Sequence, residues 1–137
     1  MTTRTVLIAD DEAHITHVVS LKLRQAGFNV LVATDGQEAL DLARTHHPDM
    51  VVTDYQMPIM SGYELSIALK NTHTTATIPV LMITARGHML SPDDLKKTNI
   101  KAMMCKPFSP RHVLERILSI LGNSTAAALP GPGAVAA

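Results

Sequence analysis

Asp10, Asp11, Asp54, Thr84 and Lys106 are the side chains of this 137-residue sequence that could do chemistry if they were brought together. Three carboxylates forced close repel one another, and each is driven towards protonation unless a cation joins them. Oxygen ligands with room for water and a phosphate oxygen suit magnesium better than zinc, which prefers His or Cys. A carboxylate held beside such an ion, with a Lys ammonium and a Thr hydroxyl opposite, can attack a phosphoryl group whose spreading charge is neutralised by metal and lysine. The product of that attack is an aspartyl phosphate.

Position supports this reading as much as type does. Asp54 closes the apolar, β-branched run Met50-Val51-Val52-Thr53, which has the character of a buried strand. Pro58 then forces a turn, and Ser61-Gly62 offers a start for the apolar-periodic segment Tyr63 to Leu69. Asp54 is thus displayed on a strand-to-helix turn, outside the carboxyl end of a strand, where open parallel sheets bind ligands. Alone, it reads equally well as a turn-forming Asp. The other strand ends decide between the two.

The elements that must position these residues follow in chain order. Thr5 to Ala9 is a buried strand, with Asp10-Asp11-Glu12 directly after it. Ile15, Val18, Val19, Leu23 and Ala26 fall at helical spacing, and Gly27 closes that helix. Lys22 lies inside the stripe, which requires its stem to rest on the core and its ammonium to reach out. Phe28 to Ala33 alternates, as an edge strand does, and Asp35-Gly36 turns into a helix ending near His46-His47 before Pro48. Thr84 closes the apolar strand from Pro79 to Ile83, and Ala85 to Leu90 reads as a mobile loop without a helical start. Ser91-Pro92-Asp93-Asp94 supplies an N-cap, a first-turn proline and acids for the next helix. Ala102 to Cys105 is the last strand, followed by Lys106-Pro107 and a helix opened by Pro110 that carries Val113, Leu114, Ile117, Leu118 and Leu121.

Composition narrows the function classes. Lys plus Arg and Asp plus Glu are 12 each, which gives no basic surface for nucleic acid or an anionic membrane. No aromatic platform for stacking bases exists, since there are two Phe, two Tyr and no Trp. The single Cys105 forms no internal disulfide and reads as a small buried thiol, and no apolar run is long enough for a signal peptide or a spanning helix. These features point to a cytoplasmic protein. His46-His47 reads as a pair near a helix C-terminus rather than as a metal site, and His14 and His17 as polar flank residues. Residues 1–122 form one domain, and 123–137, rich in Ala, Pro and Gly, form a tail or linker.

Five strands alternating with five helices imply a parallel sheet built by right-handed crossovers, with helices on both faces. With Asp10-Asp11-Glu12, the run Asp54 with Met57 to Glu64, Thr84-Ala85 and Lys106-Pro107-Phe108 in this order, the chain from about Arg4 to Leu121 resembles the receiver domains of two-component response regulators, above all the single-domain chemotaxis kind. The resemblance implies a flavodoxin-like α/β fold with strand order 2-1-3-4-5 and a switch point between strands 1 and 3. It implies that Asp54 accepts phosphate from a histidine kinase or phosphotransfer protein. Asp11, Asp54 and the backbone carbonyl of Gln56 would bind Mg2+ directly, and Asp10 through water. Thr84 and Lys106 would contact the phosphoryl group, while Gln56 and Arg86 would tune its slow loss to water. In this family Thr84 draws inward an aromatic ring three residues before the lysine, and here that position is Met103. Such a protein is a signalling phosphoacceptor rather than an enzyme, a monomer or weak dimer that meets an unidentified downstream protein but neither nucleic acid nor membrane.

Three rivals are weaker. A flavodoxin-like cofactor binder needs a Ser, Thr and Gly loop that donates to phosphate after the first strand, and Asp10-Asp11-Glu12 would repel it. A phosphatase with an Asp nucleophile would carry a second acid two residues on, where Gln56 stands. A pseudo-receiver, a pure interaction module, would have lost part of the set.

Overall fold

The computed structural model describes residues 3–85 and 90–125. Strand and helix alternate along the chain: β1 (Thr5–Ala9), α1 (Ala13–Gln25), β2 (Asn29–Ala33), α2 (Gly36–His46), β3 (Met50–Asp54), α3 (Gly62–Asn71), β4 (Val80–Thr84), α4 (Pro92–Lys96), β5 (Ile100–Cys105) and α5 (Pro110–Thr125). All strands pair in parallel in the order β2-β1-β3-β4-β5, as expected, which makes β2 an edge and places β1 beside β3 at the switch point. Alternate residues of the strands feed two core layers. Val6, Ile8, Val52 and Ile83 pack under α1 and α5, while Leu7, Ala9, Val51 and Val80 pack under α2 and α3. Burial on both faces is the reason β3 and β4 read as unbroken apolar runs.

Helix termini follow from local chemistry. Gly27, at φ 98°, ends α1 in a Schellman turn: its N–H donates to the Arg24 carbonyl at 3.0 Å, and that of Phe28 donates to Leu23 at 3.1 Å. His47 takes the left-handed conformation just before Pro48 and stops α2. Ser61 and Ser91 each form a capping box, with Glu64 and Asp94 respectively, so α3 and α4 begin where the sequence places them. None of the α4 residues is buried. Tyr63 of α3 reaches it through its hydroxyl, 3.4 Å from both the backbone and a side-chain oxygen of Asp94.

Some expectations need correction. On α1 the inward face is Thr16, Val19, Ser20 and Leu23, whereas Val18 is 40% exposed and Ala26 is exposed. Apolar spacing alone does not mark the small polar residues that share the inward face. Thr16 satisfies its hydroxyl on the Ala13 carbonyl at 2.9 Å, but Ser20 Oγ is buried without a partner among the described residues. Lys22 is half-buried, as its place in the stripe requires. Cys105 is exposed rather than buried, since it ends β5 at the open edge of the sheet. β5 starts at Ile100 and carries an irregularity: Val80 pairs with Ile100 and Leu81 with Ala102, so Lys101 is an extra residue. Helix α5 continues to Thr125, beyond residue 122 where composition begins the tail. Residues 126–137, and 86–89 of the segment expected to be a mobile loop, lie outside the described residues.

The turn after β3 is tied at three points. Tyr55 N–H donates to Ile83 at 2.7 Å, Gly62 N–H to Tyr55 at 2.8 Å, and Met60 N–H to Pro58 at 2.7 Å. The last bond closes a three-residue turn around Ile59, which sits at φ 72°, a strained value for a β-branched residue. A methyl group at Gly62 would press on the backbone carbonyl of Asp54. Gly62→Ala should therefore cost about 1–3 kcal/mol. Ile59→Asn, at a site 79% exposed, should be neutral or stabilise by up to about 1 kcal/mol. Thermal unfolding of the two variants beside the parent checks both signs.

Candidate functional site

β1 and β3 are neighbours, with Ala9 opposite Thr53, so Asp10 and Asp54 emerge side by side at the carboxyl end of the sheet. Both are buried, with 3% and 6% of their surface exposed. Asp10 is anchored at two points: its N–H donates to Ala33 at 3.1 Å, and its Oδ1 accepts from the Glu12 N–H at 2.9 Å. Lys106 approaches from the far side of β4, where its own N–H donates to the Thr84 carbonyl at 2.9 Å and the Lys106–Pro107 peptide is cis. From there its side chain crosses the end of β4 and places Nζ 3.2 Å from Asp54 Oδ2 and 3.0 Å from Glu12 Oε1.

The electrostatics follow from that crowding. Burial pushes the Asp10 carboxyl up to about 6, with further upward pressure from Asp54 and Glu12; the Glu12 N–H and Lys106 pull the other way. Asp54 is also raised, by burial first and by the charge of Asp11, while Lys106 and the Tyr55 N–H resist. Burial opposes the charge on Lys106, yet its hydrogen bonds to Glu12 and Asp54 outweigh that and raise its pKa.

The structure gathers most of the residues picked out by sequence, and one more. Asp10, Asp54 and Lys106 are together, and Thr84 is buried at the end of β4. The Thr84 hydroxyl donates to the Ala85 carbonyl at 3.2 Å. Asp11 is exposed, and the carboxylates whose oxygens lie within 4.8 Å of one another are those of Asp10, Glu12 and Asp54. Sequence reasoning took Glu12 only as part of an acidic run. The clue to more was its place just before α1, where its side chain makes no capping bond and stays free for a cation. Gln56 is exposed in the loop after Asp54, and Arg86 lies outside the described residues. Met103 is half-buried opposite Met82 and lines a groove of about 420 Å³ with Phe108 and His112. Beside the acidic pocket, Ile15, Pro107 and Phe108 wall an opening of about 670 Å³ that also includes Glu12 and Lys106.

Donor chemistry at this pocket fits a hard divalent cation. All three clustered donors are carboxylate oxygens, with no His or Cys among them, and burial disfavours the charged form of two of them, Asp10 and Asp54, a cost that a cation would offset.

Comparison with known proteins agrees with this geometry. The family model for the response regulator receiver domain matches residues 6–118. The chain is 33% identical over 97% of its length to the phosphate regulon transcriptional regulatory protein PhoB of Pseudomonas aeruginosa, covering 56% of that protein. It is 32% identical to the polar-differentiation response regulator DivK of Brucella ovis, over 89% of this chain and 99% of that one. Thus the chain spans about half the length of the first transcriptional regulators it matches and nearly all of DivK. Among solved structures, the chemotaxis response regulator CheY4 of Vibrio cholerae superposes with a TM-score of 0.79 at 31% identity, over 87% of this chain and 99% of that one. The receiver domain of a sensor histidine kinase from Pseudomonas aeruginosa, described with magnesium coordinated in its active-site cleft, shares the fold with a TM-score of 0.77 at 19% identity, over 88% of this chain and 99% of that one. A sheet of order β2-β1-β3-β4-β5 that gathers buried aspartates and a lysine at its carboxyl edge, matched along most of its length by one family, places this chain among the response regulator receiver domains of two-component systems.

Proposed function

We propose that the chain accepts a phosphoryl group on Asp54 from a phosphohistidine of a histidine kinase or phosphotransfer protein, with Mg2+ in the acidic pocket. The observation that carries this reading is the buried Asp54 carboxylate with Lys106 Nζ at 3.2 Å and Asp10 alongside. An Asp54 oxygen attacks phosphorus, the P–N bond to the donor imidazole breaks, and that nitrogen keeps the electron pair. Lys106 moves its charge from Asp54 onto a phosphoryl oxygen. Bound Mg2+ would supply the remaining neutralisation, with Asp54, Asp10, Asp11 and the Gln56 carbonyl as the groups that would hold it. Thr84, the last residue of β4, would turn its hydroxyl from the Ala85 carbonyl to the phosphoryl group. The opening walled by Ile15, Pro107 and Phe108 gives a donor protein an apolar footing beside the charges.

Incubation with a labelled histidine kinase and Mg2+, followed by mass spectrometry, should place the phosphate on Asp54. Asp54→Asn or a chelator should abolish labelling, and label surviving either at the parent level would overturn the assignment.

Asp10 gives a pH signature to the metal-free protein. Its carboxyl titrates near 6 when folded and near 3.8 when unfolded, so the fold binds this proton the more tightly. The penalty is absent below about pH 3.8, grows as pH rises through 6, and is complete above it. At pH 7 with chelator, Asp10→Asn should therefore raise stability by about 1–2 kcal/mol, and the gain should shrink by pH 5. Urea unfolding at the two pH values measures it.

Met103 bears on the downstream role. A flexible, unbranched side chain fills a gap in many rotamers and specifies none strongly. The domain is then a relay or sink for phosphate, or signals through a face other than α4, β5 and α5. Methyl spectra recorded with and without beryllofluoride should change around Thr84 but little at Met103; a large change at Met103 coupled to tighter target binding at that face would reverse this.

A further inference from the structure

Lys106 has two partners of different kinds. Asp54 is deep, its side chain only 7% exposed, and Glu12 stands at the rim, 51% exposed, with Lys106 between them at 25%. The rim contact is the shorter, 3.0 Å against 3.2 Å. Glu12 precedes α1, yet its carboxylate makes no bond to the free N–H groups of that helix and turns to the lysine. Its backbone N–H is meanwhile fixed to Asp10 Oδ1 at 2.9 Å. The residue is thus held to the pocket by its main chain and to the lysine by its side chain.

We propose that Glu12 is a positioning residue: it holds the Lys106 ammonium at the mouth of the pocket, so that lysine can leave Asp54 for an arriving cation and phosphoryl group without losing its counter-charge. A lysine paired with Asp54 alone would compete with a divalent ion for the same carboxylate, and removing it would leave an ammonium unpaired. With Glu12 in reach, the ammonium changes partners by a small swing. This role rests on the reading of Asp54 as metal-binding phosphoacceptor.

Two features separate this role from a direct effect of charge. Shortening the side chain in Glu12→Asp keeps the negative charge near the pocket but gives up the reach to Lys106. Removing the lysine leaves Glu12 nothing to hold. Mg2+ affinity is read from tyrosine fluorescence in a chain without Trp, where Tyr55 is adjacent to Asp54 and Tyr63 is the other emitter. Glu12→Asp should weaken Mg2+ binding by about threefold to fivefold, the span of a partly exposed ion pair. In a Lys106→Ala background the same change should have almost no effect. Phosphorylation by acetyl phosphate at saturating Mg2+ should follow the same pattern, slower in Glu12→Asp and indifferent to it without Lys106. Glu12→Asp matching the parent while Glu12→Gln binds weakly would reduce Glu12 to a charge and overturn the proposal. An equal loss with and without Lys106 would overturn it too, by making Glu12 a direct ligand or a structural residue. A parent protein that binds Mg2+ but takes no phosphoryl group removes the phosphoacceptor reading itself, whereas a parent that does both, with unchanged variants, removes only the role of Glu12.

Discussion

Two carboxylates buried side by side, Asp10 and Asp54, are the constraint around which this structure is arranged. Water would relieve their repulsion, but both are nearly closed off from it. What the fold offers is one ammonium, shared with Glu12, and a few backbone N–H groups. The raised pKa values of the pair record how incomplete that compensation is. A site in this condition is already organised for added positive charge, because the cost of bringing the acids together has been met by the hydrophobic core.

That core is what makes the arrangement affordable in structural terms. Parallel pairing sends β1, β3 and β4 through the middle of the sheet, covered on both faces, and their carboxyl ends inherit that rigidity. The side chains at those ends do little packing themselves. The periphery is packed more lightly: no residue of α4 is fully buried, and this helix meets α3 through the Tyr63 hydroxyl at 3.4 Å from Asp94.

The fold and most of the pocket were legible in the sequence because they rest on strong local signals. Unbroken apolar runs mark strands covered on both faces, capping serines mark helix starts, and a residue that follows such a strand has few places to go. What escaped reading depended on contacts between distant segments. Whether Glu12 or Asp11 would lean into the pocket turns on side-chain direction at the start of α1, which spacing does not encode. The inward face of α1 holds Thr16 and Ser20 where an apolar pattern would have put Val18. Cys105 was misjudged for the same reason, since exposure at a sheet edge is a property of topology, not of residue type. The positive φ of Ile59 left no trace either, as isoleucine is a poor advertisement for such a conformation.

The irregularity between β4 and β5 acts as a counting device. Lys101 is skipped, and from Leu81 with Ala102 onward the two strands run in step until Thr84 meets Cys105. Only because of that skip does Lys106 fall immediately past the end of β4, on the side of Asp54. In an even ladder Met104 would face Thr84, and the ammonium would lie one residue further on, turned to the opposite face. Flattening that irregularity with Lys101 retained would thus disarm the pocket from a distance, while every motif by which such a domain is recognised stayed in place. The register between Thr84 and Lys106, and not their presence alone, is therefore part of the site.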